Sequence, residues 1–142
     1  MIDIRPSGVH GNGAFAARDL LDGERIGTYE GRRYTARQAG RRSWDSRLTF
    51  VFGLTDGTVI DAASGGNATR YLNHSCAPNC VAYEEVCENG QLLVAFYALR
   101  DIRAGEELFL DYSLDVDKTE DRSTFGCACG TAVCRGTMLA SA

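Results

Sequence analysis

The sequence predicts a mainly β domain, and three observations carry that prediction. Short apolar runs alternate with polar residues at a period of two, the spacing of half-buried strands. Asp56-Gly57 and Asn89-Gly90 sit between such runs, where Asp-Gly and Asn-Gly pairs turn hairpins. Helical patterning is confined to short stretches. The 142 residues are the size of one domain, long enough to bury most of the chain's apolar surface.

The elements follow in order. A short helix is predicted over 35–42: Thr35 caps it, Gln38 completes a capping box three residues on, and Gly40 keeps it short. Leu48, Phe50, Phe52 and Leu54 alternate with Thr49, Val51 and Gly53, giving a strand with one apolar face. Asp56-Gly57 returns the chain into Thr58-Val59-Ile60. Asn67 caps a single helical turn leading to Leu72. Residues 81–86 and 92–99 form the strands on either side of Asn89-Gly90. A turn at Ala104-Gly105 opens a short strand ending in Asp111 and Tyr112, and the polar stretch 115–123 reads as a mobile link to a cysteine cluster.

Charge and composition narrow the function. The formal net charge is −4 and no basic stretch could track a phosphate backbone, which argues against direct nucleic-acid binding. No run of apolar residues is long enough to span a membrane, and the first residues, with Asp3 and Arg5, lack the apolar core of a signal peptide. An intracellular protein is expected. An acidic surface suits a basic partner such as a lysine-rich peptide, and it equally serves solubility. The basic residues are fourteen Arg and one Lys, Lys118, a bias that a GC-rich genome explains most simply.

The six cysteines stand at 76, 80, 87, 127, 129 and 134. Clustered cysteines of an intracellular protein are more often metal ligands than disulfides, and Cys127, Cys129 and Cys134 form such a cluster in a polar tail. Cys80 and Cys87 read as ordinary strand residues.

Two segments concentrate chemistry. In Arg70-Tyr71-Leu72-Asn73-His74-Ser75-Cys76-Ala77-Pro78-Asn79, polar groups crowd behind an apolar pair. One reading is a hydrogen-bonded turn, with Pro78 restricting Ala77 and Asn79 forming an Asx turn. A Cys/His nucleophile pair is another, although catalytic Cys and His partners normally come from distant parts of a chain. The second segment is Gly105-Glu106-Glu107-Leu108-Phe109-Leu110-Asp111-Tyr112.

Together these segments resemble the paired signature of the SET-domain protein lysine methyltransferases. The resemblance extends to Gly11-Asn12-Gly13-Ala14-Phe15, Tyr29-Glu30-Gly31, Ile60-Asp61-Ala62 with Gly66-Asn67, and a post-SET zinc motif in Cys127-Ala128-Cys129 and Cys134-Arg135-Gly136. All stand in the family's order across residues 8–138. A lone Gly-x-Gly is weak, whereas the ordered set is highly specific.

The resemblance implies a SET-domain fold of small curved sheets, its C-terminal strand passing through an earlier loop as a pseudoknot. Residues 1–114 would form the catalytic domain and 115–142 a post-SET zinc-bound tail. It implies S-adenosylmethionine as co-substrate, contacted by Gly11, Asn12, Gly13, Asn73 and His74, with Phe50, Arg70 and the backbone of Ala128 beside it. Glycine allows the close backbone approach such a ligand needs. Tyr112 matches the catalytic tyrosine, and Tyr29 borders the lysine channel. Leu110 stands where the family often has Phe or Tyr; without a hydroxyl to hold a water there, it implies di- or trimethylation. Cys76, Cys127, Cys129 and Cys134 would bind one structural zinc. The implied partner is a lysine-containing protein or peptide, a histone tail included, in the cytoplasm or, where the substrate is chromatin, in the nucleus. Two other readings are a catalytically silent SET-like module that binds a peptide, and a small zinc-binding structural protein.

Overall fold

A computed structural model describes residues 2–8, 11–41, 51–111 and 134. Among them four small sheets assemble from strands β1 (Ile2–Pro6), β2 (Asn12–Ala16), β3 (Arg25–Thr28), β4 (Arg32–Tyr34), β5 (Val51–Gly53), β6 (Val59–Asp61), β7 (Asn73–His74), β8 (Cys80–Val86), β9 (Leu92–Ala98) and β10 (Phe109–Leu110). The sheets are β1-β2, β4-β6-β5, β3-β9-β8 and β10-β7. None of the described helices is long and apolar enough to cross a membrane.

Local chemistry sets most of these elements. In helix α1 (Ala36–Arg41) the Gln38 amide donates to Thr35 Oγ1 at 3.2 Å, and the Thr35 amide donates to Gln38 Oε1 at 2.9 Å. This is the reciprocal capping box expected from the sequence. Both hairpins form where expected and share one geometry. The Leu54 and Cys87 amides donate to the Thr58 and Gln91 carbonyls at 2.9 and 2.8 Å, closing three-residue loops. Gly57 (φ 86°) and Gly90 (φ 82°) take the left-handed third position of those loops, which penalises a side chain. Asp56 and Asn89 each accept, through Oδ1, the amide two residues on at 2.9 Å.

The core lies around β9, the middle strand of its sheet. Val94, Ala95 and Phe96 are fully buried there, so this strand is covered on both faces and its period-two pattern is lost. Leu20, Ile60, Ile102 and Leu108 pack into the same cluster. Phe52 and Leu54 both turn toward this core, as the alternation over 48–54 anticipates; residues 48–50 lie outside the described residues.

Two features carry the chain to the site. Asn67 caps a 3₁₀ turn, Ala68–Tyr71, by accepting the Thr69 amide at 3.2 Å, and its Nδ2 donates to the Thr28 carbonyl of β3 at 3.0 Å. That link fixes the entry to β7. The stretch 105–108 then runs antiparallel along β2, with Gly105 and Leu108 amides donating to the Ala16 and Ala14 carbonyls at 2.7 Å. The predicted link 115–123 and all of the tail except Cys134 fall outside the described residues.

Candidate active site

The two polar segments singled out in the sequence meet directly. β7 and β10 pair in parallel, Phe109 opposite Asn73 and Leu110 opposite His74, and the Ser75 amide extends the ladder to the Leu110 carbonyl at 2.9 Å. Parallel pairing cannot be made by a hairpin, so it requires a long connection. Here that connection contains the whole β8–β9 hairpin.

Asn79 locks the junction. Its Nδ2 donates to the Glu107 carbonyl at 2.8 Å, and its Oδ1 accepts the Phe109 amide at 2.8 Å. The Asx turn expected at Asn79 is therefore not formed: the buried amide side chain reaches a distant strand whose backbone groups need partners. The local turn is made by Ser75, whose Oγ accepts the Ala77 amide at 3.1 Å.

Asn73 and His74 are buried at 9% and 4% exposure, deep enough that their polar groups must be paired. Asn73 Nδ2 donates to the Asn12 carbonyl and to Glu107 Oε2, both at 3.1 Å, joining the Gly11–Gly13 turn to β7. Gly11 has φ 47°, and Gly13 is buried so tightly that a Cβ there would lie 2.5 Å from Glu107 Oε2. His74 Nε2 lies 3.4 Å from Cys76 Sγ, and its Nδ1 lies 3.7 Å from Asp111 Oδ1. Arg70 donates to the Ala62 carbonyl at 3.2 Å and to the Tyr71 hydroxyl at 2.7 Å.

Tyr29 is buried at 6% exposure, with its ring centroid 5.3 Å from Phe52 and 5.9 Å from Phe96. It also lines a cavity of about 390 Å³ together with Thr28, Glu30, Gly31, Cys87 and Leu93. Leu110 is buried on β10. Tyr112, Phe50, Ala128, Cys127 and Cys129 lie outside the described residues.

The cysteines divide by environment. Cys80 is buried, and desolvation pushes its thiol up to about 12, which suits a core residue. Cys87 lies in the β8–β9 turn against the cavity, just beyond the strand predicted to hold it. Cys76 and Cys134 are half-buried. Among the described residues no three His, Cys, Asp or Glu side chains gather as a metal site.

Sequence reasoning missed Glu107, Ser7 and Asp111 as members of this site. Glu107 and Asp111 stood inside a recognised segment, so their position was visible and their partners were not. Ser7 donates through Oγ to the Glu107 carboxylate, at 2.8 Å to Oε1 and 2.9 Å to Oε2, and carries no local signal that announces it.

Comparison with known proteins gives a consistent result. The SET domain family matches residues 11–113. The chain is 37% identical over 139 residues to the histone-lysine N-methyltransferase trithorax of Drosophila virilis, covering 94% of this chain and 4% of that protein. It is 35% identical to the H3 lysine-4 specific histone-lysine N-methyltransferase of Candida albicans, covering 92% of this chain and 13% of that one. A humanized mutant of the Chaetomium thermophilum Polycomb Repressive Complex 2, bound to the inhibitor GSK126, superposes with a TM-score of 0.67 at 34% identity. That match covers 77% of this chain and 14% of the other. The chain thus spans a small part of the length of these relatives. Ordered motifs, a mainly β fold in which the two central motifs pair, and a family match across most of its length agree: this chain belongs to the SET-domain family.

Proposed function

We propose that this chain is an S-adenosylmethionine-dependent protein-lysine N-methyltransferase. The observation that carries the reading is the parallel β7–β10 pair, which sets Asn73 and His74 beside Phe109 and Leu110, the residues that precede Asp111-Tyr112 in the sequence. Family membership and the histone-lysine methyltransferase names of the relatives support it.

The residues present fit the co-substrate. The Gly11–Gly13 turn brings backbone close to Asn73, whose amide is held in one orientation by two acceptors. Arg70 and Phe50 are the flanking candidates, with the backbone of Ala128 from the tail. When bound, S-adenosylmethionine supplies an electrophilic methyl group on a sulfonium. The chain's own work is to present a neutral lysine amine in line with that methyl. The substrate nitrogen forms its bond to carbon as the sulfur–carbon bond breaks, and the ammonium proton leaves to solvent beforehand. A free lysine of pKa about 10.4 is mostly charged at neutral pH; an apolar channel beside a positive sulfonium favours the neutral amine by desolvation and like-charge repulsion. Tyr112 would hold the amine, with Tyr29 bordering the channel. Alignment of this kind contributes roughly 7–11 kcal/mol in well-oriented reactions. An unperturbed phenol near pKa 10 is a poor general base at neutral pH, so Tyr112 is assigned to positioning the reacting atoms.

Cys76, Cys127, Cys129 and Cys134 would hold one structural zinc, four thiolates being a closed tetrahedral donor set. Two observations fit: Cys76 and Cys134 are half-buried rather than sealed in the core, and the His74 imidazole beside Cys76 Sγ can donate to a thiolate. The metal would join a tail over 115–142 to the catalytic unit over 1–114. Leu110 would favour di- or trimethylation. The names of the H3 lysine-4 specific relatives make a histone H3 tail the first substrate to try, which would place the chain in the nucleus.

The test is transfer of labelled methyl from S-adenosylmethionine to histones and to a protein extract, with Tyr112→Phe alongside. The expected result is labelled lysine that falls at least about tenfold in the variant, equivalent to ~1.4 kcal/mol of transition-state stabilisation. A folded chain that binds S-adenosylmethionine yet labels no protein would instead favour a silent peptide-binding module.

A further inference from the structure

The Glu107 carboxylate sits where three separate parts of the chain converge. It is carried on the stretch that runs along β2, through an antiparallel bridge to Phe15. Ser7, from the segment after β1, donates to both of its oxygens at 2.8 and 2.9 Å. Asn73 donates to Oε2 at 3.1 Å, and the same amide nitrogen donates to the Asn12 carbonyl at 3.1 Å. An amide nitrogen has two hydrogens, and a carboxylate and a backbone carbonyl only accept. The Asn73 side chain is thereby held in a single orientation, its nitrogen toward β2 and Glu107. The fit is close, because the nearest heavy atom to a Cβ built on Gly13 is Glu107 Oε2 at 2.5 Å.

We propose that Glu107 is a positioning residue for co-substrate binding: held by Ser7, its carboxylate fixes the Asn73 amide against the Gly11–Gly13 turn. It acts through Asn73 and the turn rather than by touching the reacting atoms. The inference rests on the reading of Asn73 and the glycine turn as the S-adenosylmethionine wall.

Glu107→Leu and Glu107→Gln separate this role from bulk packing. Leucine keeps approximate size and removes the Oε2 acceptor that the Asn73 amide uses. Glutamine keeps an oxygen for Asn73, and the Ser7 hydroxyl can turn to accept from the new amide. S-adenosylmethionine Kd, KM for a histone H3 peptide and thermal unfolding are measured on both variants, on Ser7→Ala and on the wild type. The expected result is a Kd for S-adenosylmethionine raised about tenfold or more in Glu107→Leu, largely restored in Glu107→Gln, with peptide KM unchanged. Ser7→Ala weakens co-substrate binding in the same direction and to a smaller extent. Wild-type affinity in Glu107→Leu, or equal losses in co-substrate and peptide binding, overturns the proposal. Should Glu107→Leu not fold, Ser7→Ala decides: unchanged co-substrate affinity there also overturns it. A wild-type chain that binds no S-adenosylmethionine overturns the co-substrate reading first, and this role with it.

Discussion

Asn79 Nδ2 donates to the carbonyl of Glu107 while its Oδ1 accepts the amide of Phe109, both at 2.8 Å. One buried amide thus imitates a neighbouring strand, satisfying a carbonyl and an amide that flank Leu108. The parallel β7–β10 ladder is only two residues long on each side, so this clamp supplies much of what fixes its register.

Asn79→Ala leaves both of those backbone groups without their partner. At about 1–3 kcal/mol for each unsatisfied group, the expected loss is ~2–6 kcal/mol. Urea unfolding checks this as a lower midpoint with an unchanged slope. Asn79→Asp keeps the acceptor for Phe109 and sets a carboxylate against the Glu107 carbonyl, so it fails to restore stability.

Cys80 is expected to resist alkylation in the native protein. Burial pushes its thiol up to about 12, leaving almost no thiolate at mildly alkaline pH. Iodoacetamide labelling at pH about 8, read by mass spectrometry, should spare Cys80 in the folded chain and modify it in urea. Because the folded value lies above the unfolded one of about 8.5, this group's contribution to stability is complete below that pH. It declines as pH rises toward about 12.

The acid side should show the opposite sign. The Arg103 amide, then the Arg100 guanidinium, hold the Glu106 carboxyl below its ordinary range. The Thr58 hydroxyl and amide do the same for Asp56. Each contributes stability above the unfolded carboxylate pKa of about 4, and loses it as pH falls through the depressed folded value. Glu106→Gln should therefore flatten part of the acid-side fall in melting temperature. An unaltered slope of melting temperature against pH would remove Glu106 from that account.

Metal removal tests the tail. If four cysteines bind one zinc, the purified chain carries one equivalent of zinc by elemental analysis. Chelation, or Cys134→Ser, should then expose the tail to protease. Methyl transfer should be lost in parallel, while the β8–β9 core keeps its circular dichroism. A fully active chain without metal would leave the cysteine cluster unconnected to the activity.

Much of the local structure was legible because short-range rules suffice for it. Thr35 and Gln38 cap a helix through groups three residues apart, and Gly57 and Gly90 occupy turn positions that penalise any other residue. The ordered motifs likewise indicated which segments belong to a common site, since those residue types in that order are specific to one family. Tertiary structure alone decided which polar atom answers which. Asn79 could have closed its own turn, yet its amide serves a strand about thirty residues away. Ser7, with no local signature, holds Glu107 a hundred positions on. Tyr29 packs its ring on Phe52 and Phe96 while still lining the cavity. The physical reason is that periodicity and capping depend on neighbours fixed by covalent geometry. The partner of a buried polar group is set by whichever unsatisfied donor or acceptor the whole fold brings within hydrogen-bonding distance.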